Sequence, residues 1–178
     1  MSSEGPPAPP PPPSNEIVDI TDKIAKPECF VLNADPKYPW ENLFMGDDRL
    51  QLRSDTDEQL ILHLVFSEAV KVHSLNLVAP EMEAAPATVK LYLNKTSFSF
   101  DDAENIEPTQ VLELTEEDYK AEKVTLLKFV KFQRVSSLTI FVENNNGADY
   151  TALSMLRLFG TPLQGTDVSK IQKQPAQG

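Results

Sequence analysis

The run Leu60-Ile61-Leu62-His63-Leu64-Val65-Phe66 decides the architecture. Leu60, Leu62, Leu64 and Phe66 fall at every second position, with Ile61, His63 and Val65 between them. A period of two sends successive side chains to opposite faces of a strand, whereas an amphipathic helix needs spacings of three and four. The same alternation recurs outward from this run. Leu75 and Leu77 share one face of the next stretch. Val89, Leu91 and Leu93 alternate with Lys90, Tyr92 and Asn94, and Leu138, Ile140 and Val142 alternate with Thr139, Phe141 and Glu143. Shorter candidates are Leu50 to Arg53, Val111 to Leu114, Leu126 to Phe132 and Leu153 to Phe159. The pattern predicts roughly eight strands separated by turn residues, which is the signature of an antiparallel sandwich or barrel. A sheet with one apolar face must bury it against a second layer, so the expectation is an all-β chain in two layers.

Helix is scarce. Ile17, Ile20 and Ile24 stand at helical spacing and predict a short helix over Glu16 to Ile24. Ser99-Phe100-Asp101-Asp102 and Thr115-Glu116-Glu117-Asp118 each place an acid three residues after a hydroxyl. That spacing approaches a capping box, so each is expected to start one turn between strands. Asn144-Asn145-Asn146-Gly147 reads as a turn, because Asn and Gly tolerate positive φ.

The 178 residues carry 16 Lys and Arg against 27 Asp and Glu, a formal net charge of −11. An acidic chain is repelled by phosphate backbones and anionic membranes, so neither nucleic acid nor a membrane surface is an expected partner. No stretch approaches the roughly 18 apolar residues of a membrane span, and the first residues do not form a signal peptide. The expectation is a soluble intracellular protein in the cytoplasm, with the nucleus left open. Seven prolines between Pro6 and Pro13 mark an extended, solubilising arm over residues 1–14. A polar stretch at the other end predicts a frayed tail, 171–178, around one domain spanning 15–170.

Little in the composition supports catalysis. A single cysteine, Cys29, excludes an internal disulfide and a Cys-x-x-Cys redox pair, and Glu28 beside it raises rather than lowers a thiol pKa. His63 and His73 both sit in strand patterns and read as packed or rim side chains. Asp55 and Asp57, in Ser54-Asp55-Thr56-Asp57-Glu58-Gln59, lack the ligand ladder of a calcium loop and read as turn-formers. No phosphate-binding glycine loop or nucleophile elbow is present, so no catalytic residue, cofactor or metal is expected. Charge, however, is segregated. Asp101 to Glu122 holds nine acids and one base, and Lys123 to Arg134 holds four bases and no acid. A basic strand carrying Lys128, Lys131 and Arg134, beside an acidic stretch that begins with Asp101 and Asp102, is the candidate partner-binding surface.

Several stretches resemble the PITH domain. They are Leu52-Arg53-Ser54-Asp55-Thr56-Asp57-Glu58-Gln59-Leu60, Val89-Lys90-Leu91-Tyr92-Leu93-Asn94, Phe100-Asp101-Asp102-Ala103-Glu104 and Leu112-Glu113-Leu114-Thr115-Glu116-Glu117-Asp118. The likeness is strongest at Phe129-Val130-Lys131-Phe132-Gln133 with Ser137-Leu138-Thr139-Ile140-Phe141-Val142, and it ends near Gly160-Thr161-Pro162. PITH domains form the C-terminal half of a thioredoxin-like protein that associates with the proteasome, and they also stand alone. The resemblance implies a jelly-roll-like antiparallel β-sandwich. It further implies an interaction module for subunits of the proteasome regulatory particle, and the expectation is a monomer without catalysis of its own. With no Cys-x-x-Cys, reductase activity does not carry over. The chain departs from the family at Ala79-Pro80 and Ala85-Pro86-Ala87, where relatives tend to have Gly-Pro, and at an expanded stretch after Cys29. The rival reading is a small-ligand or carbohydrate-binding module. Jelly-roll sandwiches also take sugars at loop ends, and Tyr38 and Trp40 would be the stacking aromatics.

Overall fold

The computed structural model describes residues 16–163. The proline-rich arm and the C-terminal tail lie outside the described residues. Ten strands and one α-helix follow in order: β1 (Val18–Asp19), β2 (Phe30–Leu32), β3 (Leu52–Arg53), β4 (Leu60–Val78), β5 (Pro86–Leu93), α1 (Phe100–Asn105), β6 (Gln110–Glu113), β7 (Thr125–Leu126), β8 (Val135–Asn145), β9 (Ala152–Leu153) and β10 (Met155–Pro162). All pairings are antiparallel.

The 19-residue strand β4 organises the rest. Its first part pairs with β2 on one side, through Phe30↔His63, and with β8 on the other, through Leu62↔Ile140. Its second part pairs with β10, through Leu75↔Leu158, and with β7, through Ser74↔Leu126. The register with β8 shifts between Val65 and Val70, where the strand leaves one layer for the other. One layer therefore runs β2-β4-β8-β5-β6 and the facing layer β7-β4-β10-β1, with β3 and β9 as a separate ribbon. Leu60, Leu62, Leu64, Leu138, Ile140, Val89 and Leu91 of the first layer meet Val72, Leu75, Leu77, Leu156 and Leu158 of the second in one core, all buried. Each such side chain contributes about 1.5–3 kcal/mol by leaving water. This is the jelly-roll-like sandwich that alternation and resemblance implied.

The outer face of the first layer is covered as well. Ile61, Tyr92 and Phe141 point away from the main core and pack with Phe98 and Ala103 in a second cluster, with Phe100 of α1 against it. The helix starts there because Ser99 closes a capping box. Ser99 Oγ accepts the Asp102 N–H at 3.3 Å, and the Asp102 carboxylate accepts the Ser99 N–H at 3.0 Å. Thr115 and Asp118 form the second box, which opens a 3-10 turn over Glu116–Tyr119.

Some expectations are corrected. Glu16 to Ile24 is not a helix. Val18 and Asp19 pair with β10 and the Ile20 N–H donates to the Leu158 carbonyl, so the sheet edge supplies the backbone bonds; a 3-10 turn follows at Thr21–Lys23. Leu126 to Phe132 is not a strand. Only Thr125 and Leu126 pair, and Phe129–Lys131 forms a 3-10 turn that lets Phe132 bury completely. The two runs at Leu60 and Leu75 are one strand, and the run expected from Leu153 divides into β9 and β10. Strand β8 extends into the expected turn as far as Asn145.

Candidate partner-binding face

The segment after β7 is held at two points and presents what lies between them. The Leu127 N–H donates to the His73 carbonyl at 3.0 Å, and the Lys128 N–H donates to Gln110 Oε1 at 2.8 Å. At the far end Phe132 is fully buried and its carbonyl accepts the Val72 N–H at 3.0 Å. Between these anchors, Lys131 N–H to Lys128 carbonyl and Phe132 N–H to Phe129 carbonyl close the turn, while Phe129 sets an edge against His73 at 5.7 Å. The turn lifts Val130 out to 84% exposure, and Leu126, where the segment begins, is 64% exposed. Val111, 43% exposed, lies on β6, whose backbone pairs with β5 alone.

Lys128, Lys131 and Arg134, in the same segment as Leu126 and Val130, are all exposed, whereas Val111 lies opposite Lys90 on the outer side of the sheet. Lys131 Nζ reaches the Thr109 carbonyl at 3.5 Å, and none of the three forms an ion pair among the described residues. The Arg134 backbone is fixed by Asn94, whose Nδ2 donates to the Arg134 carbonyl at 3.1 Å and whose Oδ1 accepts the Ser136 N–H at 2.7 Å. Asn94 achieves this at a φ of 57°, a left-handed conformation that Asn tolerates. Apolar side chains in water beside unpaired cations are what a partner with acidic and apolar groups would desolvate.

Asp101 and Asp102 stand apart from this group. Both belong to α1 over the outer face, where the Asp102 carboxylate is engaged by Ser99 and the Asp101 carbonyl accepts from Asn105 Nδ2. No contact among the described residues joins them to Lys128, Lys131 or Arg134. Sequence reasoning singled out the three cations but placed them on a strand, and it did not single out Leu126 or Val130. In a strand reading Leu126, Val130 and Phe132 share a face; only the 3-10 turn separates the exposed valine from the buried phenylalanine.

A second cluster lies at the loop end that carries Tyr38. The Arg53 guanidinium stands over the Tyr38 ring at 4.4 Å and over the Tyr150 ring at 4.5 Å. Its Nε donates to Gln51 Oε1 at 2.8 Å, and its Nη2 is 3.7 Å from the Glu81 carboxylate. Tyr150 donates its hydroxyl to Glu81 Oε1 at 2.8 Å, and that bond pushes the phenol pKa up. Trp40 is half-buried against the core and meets Phe44 edge-on at 5.7 Å. The other candidates are structural. Asn33, at a φ of 69°, latches the Asp55–Gln59 loop through Asp57 Oδ1 and the Gln59 carbonyl. Cys29 Sγ accepts the Val65 N–H at 3.2 Å and donates to the Ala25 carbonyl; burial first, and Glu28 to a lesser extent, push its thiol pKa up. His63 is buried, stacks on Phe30 at 4.7 Å and places Nδ1 2.8 Å from Thr139 Oγ1. Among the described residues no three His, Cys, Asp or Glu side chains gather as a metal site would require.

Comparison with known proteins places this geometry. The chain resembles thioredoxin-like protein 1 of Schizosaccharomyces pombe, 40% identical over 158 residues that cover 86% of this chain and 54% of that protein. Human PITH domain-containing protein 1 is 32% identical over 122 residues, covering 68% of this chain and 56% of that protein. The chain thus spans about half the length of these curated relatives. In structure it is similar to the family 32 carbohydrate-binding module of Clostridium perfringens NanJ, solved with galactose, at a TM-score of 0.61 over 81% of this chain and 99% of that one. At 9% identity that likeness concerns the fold alone. The model of the PITH domain matches residues 10–176, nearly the whole sequence, and the chain belongs to the PITH domain family.

Proposed function

We propose that this chain is a non-catalytic protein-interaction domain that docks, as a monomer in the cytoplasm, on the regulatory particle of the proteasome, and that Leu126–Arg134 is its contact segment. The observation that carries this reading is Val130 at 84% exposure, held out by a pinned turn between Lys128 and Lys131, neither in an ion pair among the described residues. An apolar tip on a rigid base loses little entropy on docking and can serve as an anchor, while the surrounding cations steer encounter with an acidic surface. One face of a sandwich of this size supplies the roughly 800 Å² per partner of a standard interface. Membership of the PITH family and the 40% identical thioredoxin-like relative support an interaction role. The aromatic side chains favour it over sugar binding, since Arg53 occupies a face of both Tyr38 and Tyr150 and Trp40 packs on the core.

Affinity purification of the tagged chain at low salt, with identification of co-eluting subunits, tests the proposal. Regulatory-particle subunits should be recovered with the wild-type chain and lost with Lys128→Glu, Lys131→Glu, or with Val130→Asp, while the unfolding midpoint stays unchanged. Recovery should weaken as salt shortens the Debye length from about 10 Å at 0.1 M to about 3 Å at 1 M. Recovery of no proteasome subunit at low salt overturns the reading, and undiminished recovery by the variants removes this segment from it.

A further inference from the structure

A groove of about 570 Å³ lies at the other end of the second layer, between the loop before β5 and the Glu116–Tyr119 turn. Val78, Met82 and Tyr119 are among the apolar side chains that line it. Its rim carries the carboxylates of Asp48, Glu116 and Glu122, none of which forms an ion pair among the described residues. The one base in the lining, Lys120, pairs with Glu117 at 2.9 Å and also lies in the field of Glu116 and Glu122. Met82 is 45% exposed, and a methionine adapts its unbranched side chain to varied apolar partners.

Both walls are held in place from below. On one side the fully buried Asn76 donates through Nδ2 to the carbonyls of Lys120 and Lys123. On the other, Asn146 Nδ2 donates to the Met82 carbonyl at 3.0 Å and to the Tyr119 hydroxyl at 3.2 Å, and the Ala148 N–H donates to the Glu83 carbonyl at 3.1 Å. Asn146 thereby ties the two walls to each other. A groove held open this way need not be formed by its occupant.

We infer that this groove is a second docking site, and that it takes a short basic segment of a protein, with an apolar side chain on Val78, Met82 and Tyr119 and lysines or arginines against Asp48, Glu116 and Glu122. Three carboxylates, Asp48, Glu116 and Glu122, against one lysine in the lining repel acidic segments and attract basic ones, so charge selects the occupant. The site is separate from Leu126–Arg134. The Val72 end of β4 meets Phe132 and the Val78 end lines the groove, six residues or about 20 Å further along the strand. The inference therefore stands independently of the proteasome proposal.

The test is a titration of the isotope-labelled full chain, followed by amide resonances, with a synthetic peptide carrying one central leucine flanked by lysines. Shifts should concentrate in residues 78–85 and 116–122. The double variant Glu116→Lys, Glu122→Lys should weaken binding by on the order of tenfold or more, as should Met82→Asp, whose side chain is outside the core. A peptide with glutamates in place of the lysines should not bind. Lys128→Glu, Lys131→Glu should bind the basic peptide as the wild type does. Absence of binding at low salt, equal binding of the two peptides, shifts centred elsewhere, or unchanged affinity in the groove variants would each overturn the inference.

Discussion

Gly160 leaves room for a hydrogen and nothing larger. A Cβ at that position would stand 1.8 Å from the Lys71 carbonyl oxygen and 2.9 Å from its carbon. Both strands are backbone here, at the register shift between Phe159 and Gly160, so no flexible side chain can yield. Gly160→Ala is expected to destabilise the fold by about 3 kcal/mol, at the upper end of the overpacking range, read as a lower urea midpoint. In sequence Gly160-Thr161-Pro162 looks like the end of the domain, and nothing local reveals that Lys71 crosses there. His63 shows the same division. Its strand position was legible, but not its burial, because that depends on Phe30 and Thr139 from other strands. Burial pushes its imidazole pKa below the ordinary 6.5, so the unfolded chain takes up a proton that the folded chain resists. Stability from this residue is intact above about pH 6.5 and is lost as pH falls through the lowered folded value. Urea midpoints at about pH 7.5 and pH 5.5 should differ in the wild type and differ less in His63→Gln. An unchanged difference in the variant would assign the effect to other groups.

Elements defined by neighbouring residues read correctly from sequence. The box at Ser99 and Asp102 and that at Thr115 and Asp118 depend on a three-residue spacing and form as expected. Removing the first, by Ser99→Ala, should cost about 1 kcal/mol in thermal unfolding, because the Asp102 N–H loses its acceptor at an exposed helix start. A variant that melts with the wild type would show that packing of Phe100 and Ala103 alone holds α1. The failures were segments whose partners lie far away in sequence. Isoleucines at 17, 20 and 24 have helical spacing, yet β10 offers the open edge that extends Val18 and Asp19. Leu126 to Phe132 has strand composition, yet Gln110 and His73 hold its start and the core claims Phe132. Propensity is a weak prior beside such contacts.

Across the whole molecule, an acidic chain presents a basic segment with exposed Val130 beside Val72 to Ser74 of β4 and an acid-bearing groove at the Val78 end of the same strand. Such a charge arrangement suits a scaffold that meets two partners of opposite charge. Alternation alone was enough for the fold class, since period two obliges each sheet to bury a face against another. The motifs from Leu52 to Pro162 were enough for the family, and charge segregation made Lys128, Lys131 and Arg134 the candidates that the proposed contact segment contains. Which of those residues stand out in water, and which side chains join them, followed from the packing. Val130 and Phe132 are two positions apart and chemically alike, but one is in solvent and the other in the core, because a single turn rotates them to opposite sides. The Tyr38, Arg53, Glu81 and Tyr150 cluster and the groove at Met82 are likewise assembled from loops distant in sequence. Their members become neighbours only when β4 bends from one layer into the next, and a one-dimensional pattern holds no record of that distance.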